Sequence, residues 1–535
     1  MLECVLFEDE HLLVINKPAG VNTHAPSPYA SEGVYEWLRN RESRWASLAI
    51  IHRLDKETSG VMVFGKTTLA NRSLTEQFTN RSVRKKYVFL TDQAVSTGEL
   101  HVKSCLVRAG EKYVSRSVHA GGEIAETKFV VLPSTGSGHS VKSRAEFQTI
   151  KAEPLTGRTH QIRVHAADNG FPVLGDTLYG GTPYSRVCLH AEVLSLRHPQ
   201  TGKEMKFEAK ADFESDSRLE LRRAFVDFEE TDAFRLTHGA SDNWPGWFVE
   251  RLSEYLLSES EAPLTEQQTD RLGRLMTAMS LRGAYHKTLT RQVRRVAAEA
   301  ASPQPVLGDA APGRFCIREN GVRFEMSFNE GYSVGLFLDQ RDNRRRFLTG
   351  HVAPGFDLEL KGGEVLNTFA YTCGFSVCAA LAGARVTSLD LSKKYLEWGK
   401  RNYALNRLDP DQHDFIYGDA FDWLRRLAKK GRTFDAVILD PPTFSQSKDR
   451  GIFRAERDYG ELVAAALPLL KKEGVLFAST NTAHWMPEVF VSEVQKSIQA
   501  GRRQIQRHHY VPQPPDFPIS RAEPGYLKTV WMRVA

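Results

Sequence analysis

The stretch Ile51-His52-Arg53-Leu54-Asp55-Lys56-Glu57-Thr58-Ser59-Gly60 sets a single carboxylate in a short polar loop and runs directly into the strand-forming residues 61–64. An aspartate on a loop ordinarily caps a turn or meets solvent. The neighbours here point elsewhere. Arg53 precedes Asp55, and Thr58, Ser59 and Gly60 follow it. A second polar block lies far downstream: Thr156-Gly157-Arg158-Thr159-His160-Gln161-Ile162-Arg163-Val164-His165. Its Ile162 and Val164 read as strand-forming, and polar density beside such residues describes a cleft.

Around this block, residues 1–212 are a series of short strand-like runs, among them 12–14, 87–90 and 128–131, separated by Gly, Pro, Ser and Asn clusters. That punctuation predicts a mostly β region with a few helices. Residues 208–223 are strongly charged and read as a linker, or as a helix leading out of the first domain. Residues 264–301 have helical character, with Arg291, Arg294 and Arg295 near the end, and residues 302–313, rich in Pro, Gly and Ala, read as a loop.

From residue 331 the pattern alternates. Apolar runs end at Asn367, Asp390, Asp419 and Asp440, and helical segments at 375–382 and 391–406 lie between them. Alternation of this kind predicts a parallel sheet with ligand positions at the strand carboxyl ends. Gly374 provides the small residue a ligand-binding turn needs, but the turn is not GxGxxG, so a dinucleotide is disfavoured. Asp390 is placed for ribose hydroxyls and Asp419 for an adenine amino group. The pattern favours S-adenosylmethionine, and Phe337, Gln340 and Arg341 are candidates for the pocket rim. The runs Arg344-Arg345-Arg346 and Arg502-Arg503, with Arg507, His508 and His509, read as solvated faces or phosphate contacts.

Bulk properties bound these readings. At 535 residues the chain is too long for one core, and 41% hydrophobic with 25% charged residues is the composition of folded globular domains. A net charge of +6 permits a polyanionic partner without demanding one. The six cysteines form no CxxC pair, which disfavours a zinc site and fits free thiols in a reducing compartment. No run approaches the ~18 apolar residues of a membrane span. The first residues lack the basic and apolar regions of a signal peptide, so the expected location is the cytoplasm, with no membrane partner.

Two family resemblances follow. Residues 1–212 resemble an RluA-type pseudouridine synthase through Ile15-Asn16-Lys17-Pro18-Ala19-Gly20-Val21, the block from His52 to Gly60, Arg84-Lys85-Lys86-Tyr87 and the block from Gly157 to His165. Gly175-Asp176-Thr177-Leu178-Tyr179-Gly180 and Leu189-His190-Ala191 extend the match. The resemblance implies cofactor-free isomerisation of uridine in RNA. Asp55 would begin breaking the N-glycosidic bond, as nucleophile or as base. Tyr87 would stack on the base and serve in proton removal. Arg163 would pair with Asp55 and hold it ionised, as a close guanidinium does. Arg53, His160 and Ile162 would meet substrate. A uridine reached in this way must leave its stack. Many relatives carry a small basic RNA-binding domain before the Asn-Lys-Pro motif; here that motif stands almost at the start, so RNA docking is expected from elsewhere, including the second half.

Residues 225–535 resemble the RlmI and RlmK/RlmL-type ribosomal RNA methyltransferases through Asn243-Trp244-Pro245-Gly246, Gly335-Leu336-Phe337-Leu338-Asp339-Gln340-Arg341-Asp342-Asn343-Arg344, Leu366-Asn367-Thr368-Phe369-Ala370-Tyr371-Thr372 and Asp440-Pro441-Pro442-Thr443-Phe444-Ser445. The implied cofactor is S-adenosylmethionine, met by Phe337, Gln340, Arg341, Asn367, Phe369, Tyr371, Gly374, Asp390, Asp419 and Asp440. Pro441, Pro442 and Phe444 would face the target base, and Asp440 would accept from base or cofactor amino groups. Carbon 5 of cytosine needs covalent activation by a thiolate, and no cysteine follows Cys378. Nitrogen 7 of guanine carries a lone pair and needs only alignment with the methyl group. Residues 392–398 and 442–448 look like the guanine nitrogen-7 branch.

The resulting expectation is multidomain. An N-terminal α+β pseudouridine synthase fold with a mixed, mainly antiparallel sheet (1–212) is followed by a linker (213–224), a small α+β connector domain (225–330) and a C-terminal α/β Rossmann-like methyltransferase (331–535). The expected partner is RNA, 23S ribosomal RNA or a ribosome assembly intermediate. An exocyclic amine as methyl acceptor, or one half acting only as an RNA-binding module, stays open, as does the oligomeric state.

Overall fold

A computed structural model describes residues 2–119, 121–132, 147–289, 301–331, 333–447 and 451–535. Arg291, Arg294, Arg295 and Lys448 lie outside the described residues. Contacts divide the chain into two units. The first comprises Met1–Ala25, Glu32–Leu38 and Ser47–Phe225; the second comprises Pro26–Ser31, Arg39–Ala46 and Val226–Ala535.

The first unit is built on one sheet. Its strands run in the order Val5–Glu8, Leu12–Lys17, Ser59–Gly65, Leu189–Arg197, Arg84–Thr91, Gln148–Pro154, Glu123–Val131, Gly98–Ala109 and Lys112–Arg116. Only the contact between Leu189–Arg197 and Ser59–Gly65 is parallel; the other pairings are antiparallel, so the sheet is mixed and mainly antiparallel. Ser59–Gly65 is buried along its whole length, which is why its apolar residues run without alternation. At the parallel contact Gly60 takes a φ of +123°, and a Cβ there would lie 2.3 Å from the Ala191 carbonyl oxygen, so only glycine lets the two backbones approach.

Residues 160–165 are not a strand. Gln161–Asp168 is a helix, entered through His160 in the left-handed region at φ 57°. The β-branched Ile162 and Val164 suggested otherwise. Burial overrides that weak preference: Gln161 through Ala166 are all buried. The polar members have partners. The Gln161 amide donates to the Glu126 carbonyl and Thr127 hydroxyl, both at 2.9 Å. His165 meets Ser104 at 3.0 Å and Thr127 at 2.9 Å. Ile162 and Ala166 join Phe89, Phe129, Ile150 and Phe171 in one apolar cluster.

The second unit holds two main sheets. The smaller runs Ala233–His238, Trp247–Leu252, Tyr255–Ser260, Gly283–Thr288 and Gln304–Gly308. The helix expected over 264–301 is interrupted: Glu266–Met279 is helical, a strand follows, and residues 290–300 lie outside the described residues. Ser280 turns left-handed, and Gly283–Thr288 is an almost fully buried strand, so it lacks the alternation that marks a half-exposed one. The loop expected over 302–313 contains the strand Gln304–Gly308, whose Pro305 is tolerated because the strand lies at the sheet edge.

The larger sheet runs Asp414–Tyr417, Arg385–Asp390, Glu364–Thr368, Phe434–Leu439, Leu470–Thr480, Lys528–Val534 and Ile505–Pro512. The first five strands pair in parallel and the last two pair antiparallel. Helices Gly374–Leu381, Lys393–Leu405 and Ala420–Lys429 form the crossovers. The order reverses beside Glu364–Thr368, the topological switch point where ligands of open α/β sheets bind.

The first basic run is not a solvated face, whereas in the second Arg502, Arg507 and His508 are exposed. Arg344 is buried on Glu319 at 2.6 and 2.7 Å, and Arg346 is buried on the Val352 and Asp342 carbonyls, each at 3.0 Å. Arg503 donates to the Ala535, Leu470 and Lys471 carbonyls at 2.7, 3.1 and 2.9 Å. His509 is half-buried, and desolvation pushes its imidazole down to about 3. At Arg344, Arg346 and Arg503 the charge is taken up by partners within the fold, which guanidinium groups suit well.

Candidate active sites

Asp55 stands on the loop before Ser59–Gly65, and two side chains clamp the backbone beside it. The buried Lys17 ammonium donates to the Pro18 and Val21 carbonyls at 2.9 Å each and to the Lys56 carbonyl at 3.2 Å. The Thr23 hydroxyl donates to the Leu54 carbonyl at 2.8 Å and accepts from the Leu54 N–H at 3.1 Å. Backbone on both sides of the carboxylate is thereby fixed.

The Asp55 carboxylate faces the Arg163 Nη1 at 3.7 Å and the His160 Nε2 at 4.0 Å. Arg163 makes its closer pairing with Asp176: Nε and Nη2 donate to the two carboxylate oxygens at 2.6 and 2.7 Å. The arginine thus bridges two acids, forked on one and turning its third nitrogen to the other. Tyr179 lies under the guanidinium at 5.1 Å, and its hydroxyl meets the His160 Nδ1 at 2.8 Å. Burial holds His160 below its ordinary value, favouring neutral imidazole. Arg53 donates to the Thr159 hydroxyl at 2.8 Å, tying the two polar blocks together.

These groups line a cavity of about 390 Å³ that holds Asp55, Tyr87, His160, Ile162, Arg163 and Arg53. All six residues expected at the first site therefore share one pocket. Burial raises the Tyr87 hydroxyl well above its usual range, and the Asp55 charge adds to that, so Tyr87 stays protonated beside the carboxylate. Asp176 and Tyr179 lie in the 175–180 motif, to which the resemblance attaches no role; a carboxylate between two glycines, Gly175 and Gly180, is the signal the sequence offers.

The second set sits at the switch point. Asp390 accepts from the Tyr371 N–H and the Ser392 N–H, each at 2.8 Å on a different oxygen. A carboxylate has about four lone-pair positions, so capacity for hydroxyl donors remains. Phe369, Tyr371 and Cys373 are all left-handed, at φ 56°, 48° and 65°. Such conformations cluster at ligand sites. The Tyr371 ring lies between Phe337 at 5.2 Å and Tyr395 at 4.6 Å, and Phe337 is 56% exposed. At Gly374 a Cβ would come within 2.8 Å of Leu336.

Gln340 donates to the Ser479 hydroxyl at 2.7 Å and to Asp440 at 3.3 Å. Burial raises the Asp440 carboxyl to about 6. Pro441 is buried, whereas Pro442 and Phe444 are exposed, Phe444 by 44%. Three residues are engaged within the fold. Asn367 donates to Ser376 at 2.8 Å. Asp419 caps the helix Ala420–Lys429 through the Phe421 and Asp422 N–H groups at 3.0 and 3.3 Å. Arg341 is 2% exposed and forked on Asp516 at 2.8 and 2.6 Å, so its guanidinium does not reach a rim. Adjacency to Gln340 in sequence concealed this, because successive helical residues face different ways.

The open Asp390 carboxylate, the left-handed turn, the Tyr371 ring and the half-buried Asp440 acid fit a nucleoside carrying a sulfonium. Oxygen acceptors suit ribose hydroxyls, and aromatic and anionic groups suit a cation.

Comparison with known proteins finds two families along the chain. Residues 235–533 match the S-adenosylmethionine-dependent methyltransferase family and residues 11–168 match the RNA pseudouridylate synthase family. A "Ribosomal RNA large subunit methyltransferase" from Deinococcus radiodurans is 32% identical over 65% of this chain and 83% of its own. The "Ribosomal large subunit pseudouridine synthase C" of Yersinia pestis is 38% identical over 40% of this chain and 67% of its own. The solved structure of SMU.776 complexed with SAH shares the fold, with a TM-score of 0.50 and 24% identity over 70% of this chain and 98% of that one.

The chain belongs to the S-adenosylmethionine-dependent methyltransferase family, and its first unit is a pseudouridine synthase of the RluA type. It is an enzyme with two activities on one polypeptide, and S-adenosylmethionine is the methyl donor of the second. Among the described residues no helix is long and apolar enough to cross a membrane.

Proposed function

We propose that the chain modifies large-subunit ribosomal RNA twice, converting a uridine to pseudouridine and methylating a guanine at nitrogen 7. The observation that carries the first activity is the pocket in which Asp55 meets Arg163 and Tyr87. Asp55 starts cleavage of the N-glycosidic bond, the arginine orients it, and Tyr87 stacks on the released base and takes part in moving the proton from carbon 5. The relatives named for ribosomal large subunit modification support RNA of that subunit as substrate.

For the second activity, bound S-adenosylmethionine supplies the electrophilic methyl group. Asp390 holds its ribose, the Phe369–Gly374 turn shapes its seat, and Phe444 stacks on the guanine. Nitrogen 7 needs no base, so alignment is the main contribution of the site. Thiol-dependent methylation of cytosine lacks its nucleophile: Cys373 and Cys378 are buried with raised thiols, Cys373 up to about 12, and no cysteine follows. A second reading has one observation in its favour. Asp440, raised to about 6 and held by Gln340, is suited to take a proton from an exocyclic amine.

The test is mass spectrometry of nucleosides from an unmodified large-subunit transcript treated with the full-length enzyme and S-adenosylmethionine. Pseudouridine with 7-methylguanosine is the expected outcome. An exocyclic methylamine transfers the second activity to the alternative reading, and absence of both products overturns the proposal.

A further inference from the structure

Beside the Asp55 pocket lies a larger cleft of about 800 Å³. The two share walls, Phe78, Thr79, Lys85, Thr156, Gly157 and Arg158 among them, so the base pocket opens into the cleft. Five cations line it: Arg81, Arg84, Lys85, Lys86 and Arg158. Its two acids are engaged. Glu153 faces Lys86 at 3.5 Å and Glu126 faces His101 at 2.8 Å. Arg158 is held by Glu123 and the Ile124 carbonyl, both at 3.2 Å. Among the described residues, Arg81, Arg84 and Lys85 have no carboxylate within ion-pair distance.

Lys85 is the unusual member. It stands at the junction, lining both cavities, and its ammonium faces the Gly157 backbone: a Cβ on Gly157 would lie 3.5 Å from Nζ. It is half-buried, and burial lowers its proton affinity. A desolvated ammonium without a counter-charge is costly. An anion arriving at the junction removes that cost, and the anion an RNA strand brings is its phosphodiester.

We propose that the cleft is the track of the RNA backbone into the Asp55 pocket, with Lys85 seating the phosphate beside the flipped uridine and Arg81 and Arg84 meeting phosphates further along. This rests on the pseudouridine synthase reading and assigns it a phosphate subsite. Lys85 is a positioning residue: it acts on the nucleotide's backbone and leaves the glycosidic bond to Asp55. Binding through phosphate is sequence-independent and falls with salt.

The experiment is single-turnover pseudouridine formation by the full-length chain on an unmodified large-subunit transcript, over a range of salt. For Lys85→Met the RNA concentration giving half the maximal rate rises about tenfold. The slope of its logarithm against log salt becomes shallower by about 0.7. The maximal rate is retained and Lys85→Arg restores both quantities. Unchanged half-saturation and slope, or a lost maximal rate at unchanged half-saturation, overturns the proposal. A measurement on the unaltered enzyme guards against misfolding of the variant: a neutral methylphosphonate linkage at the target nucleotide raises half-saturation about tenfold. A scan of neutral linkages around the target without effect overturns the proposal too. In every arm the unaltered chain on unaltered RNA makes pseudouridine; if it does not, the functional reading fails first.

Discussion

Arg163 grips Asp176 with Nε and Nη2 at 2.6 and 2.7 Å and presents Nη1 to Asp55 at 3.7 Å. Asp176, itself 1% exposed, therefore sets where the guanidinium stands, and Asp55 meets a nitrogen whose position is already decided. Asp176→Asn keeps the shape and removes the charge. Freed from the fork, Arg163 shifts relative to Asp55. Displacements of ~1 Å cost about 10²-fold in rate, and a loss of that size in pseudouridine formation is expected, with methylation by the same protein unchanged. Parallel single-turnover assays of the two products check it.

Gly60 is a second support of the same loop. Its φ of +123° and the 2.3 Å approach to Ala191 exclude a Cβ. Gly60→Ala is expected to destabilise the first unit by at least ~1–3 kcal/mol, the scale of a forced backbone conformation. A fall in the urea midpoint for loss of pseudouridine formation, with methylation persisting to the unaltered midpoint, would show it.

Asp440 makes the methylation rate depend on pH. Burial raises the carboxyl to about 6, so the acid is protonated below that pH and charged above it. An ionised Asp440 accepts hydrogen bonds from base or cofactor amino groups, whereas the protonated form accepts fewer. The single-turnover rate should fall as pH drops through about 6 and level off above it. Asp440→Asn, which cannot titrate, should lower the rate and remove the inflection.

Arg341 separates structure from binding. Its fork on Asp516 is wholly buried, and Asp516 also accepts the Arg235 N–H at 2.9 Å. Removing one partner of such a pair strands a charge and costs about 3–5 kcal/mol. Asp516→Ala should lower the denaturation midpoint of the second unit by that amount. Calorimetric S-adenosylmethionine affinity of the remaining folded protein should stay within about threefold, a change of under ~1 kcal/mol. A tenfold loss of affinity would return Arg341 to the ligand rim.

Much of this architecture was legible in the chain. Strand ends at Asp390 and Asp440 were visible because a parallel sheet places polar residues where apolar runs stop, and Asp55, Tyr87 and Arg163 were found through motif order. Most of what stayed hidden shares one cause, burial that overrides local pattern. Ile162 and Val164 look extended and are helical because the helix is enclosed on every side. Gly283–Thr288 lacks the alternation of a half-exposed strand because it is covered on both faces. Arg344, Arg346 and Arg503 read as surface charge because their partners, Glu319 and a set of carbonyls, are remote in sequence. Asp176 is a different case: it lies only 13 residues from Arg163, but the family resemblance directs that arginine to Asp55 alone.

The central claim is that one polypeptide carries two chemically independent sites, and the most direct measurement is site-resolved modification mapping of ribosomal RNA from cells lacking this gene. The strain is complemented with the unaltered chain, with Asp55→Ala or with Asp440→Ala. The account predicts that Asp55→Ala restores a guanine nitrogen-7 methyl mark and no pseudouridine, and that Asp440→Ala does the reverse. Loss of both marks in either variant, or no mark that depends on the gene, would contradict it.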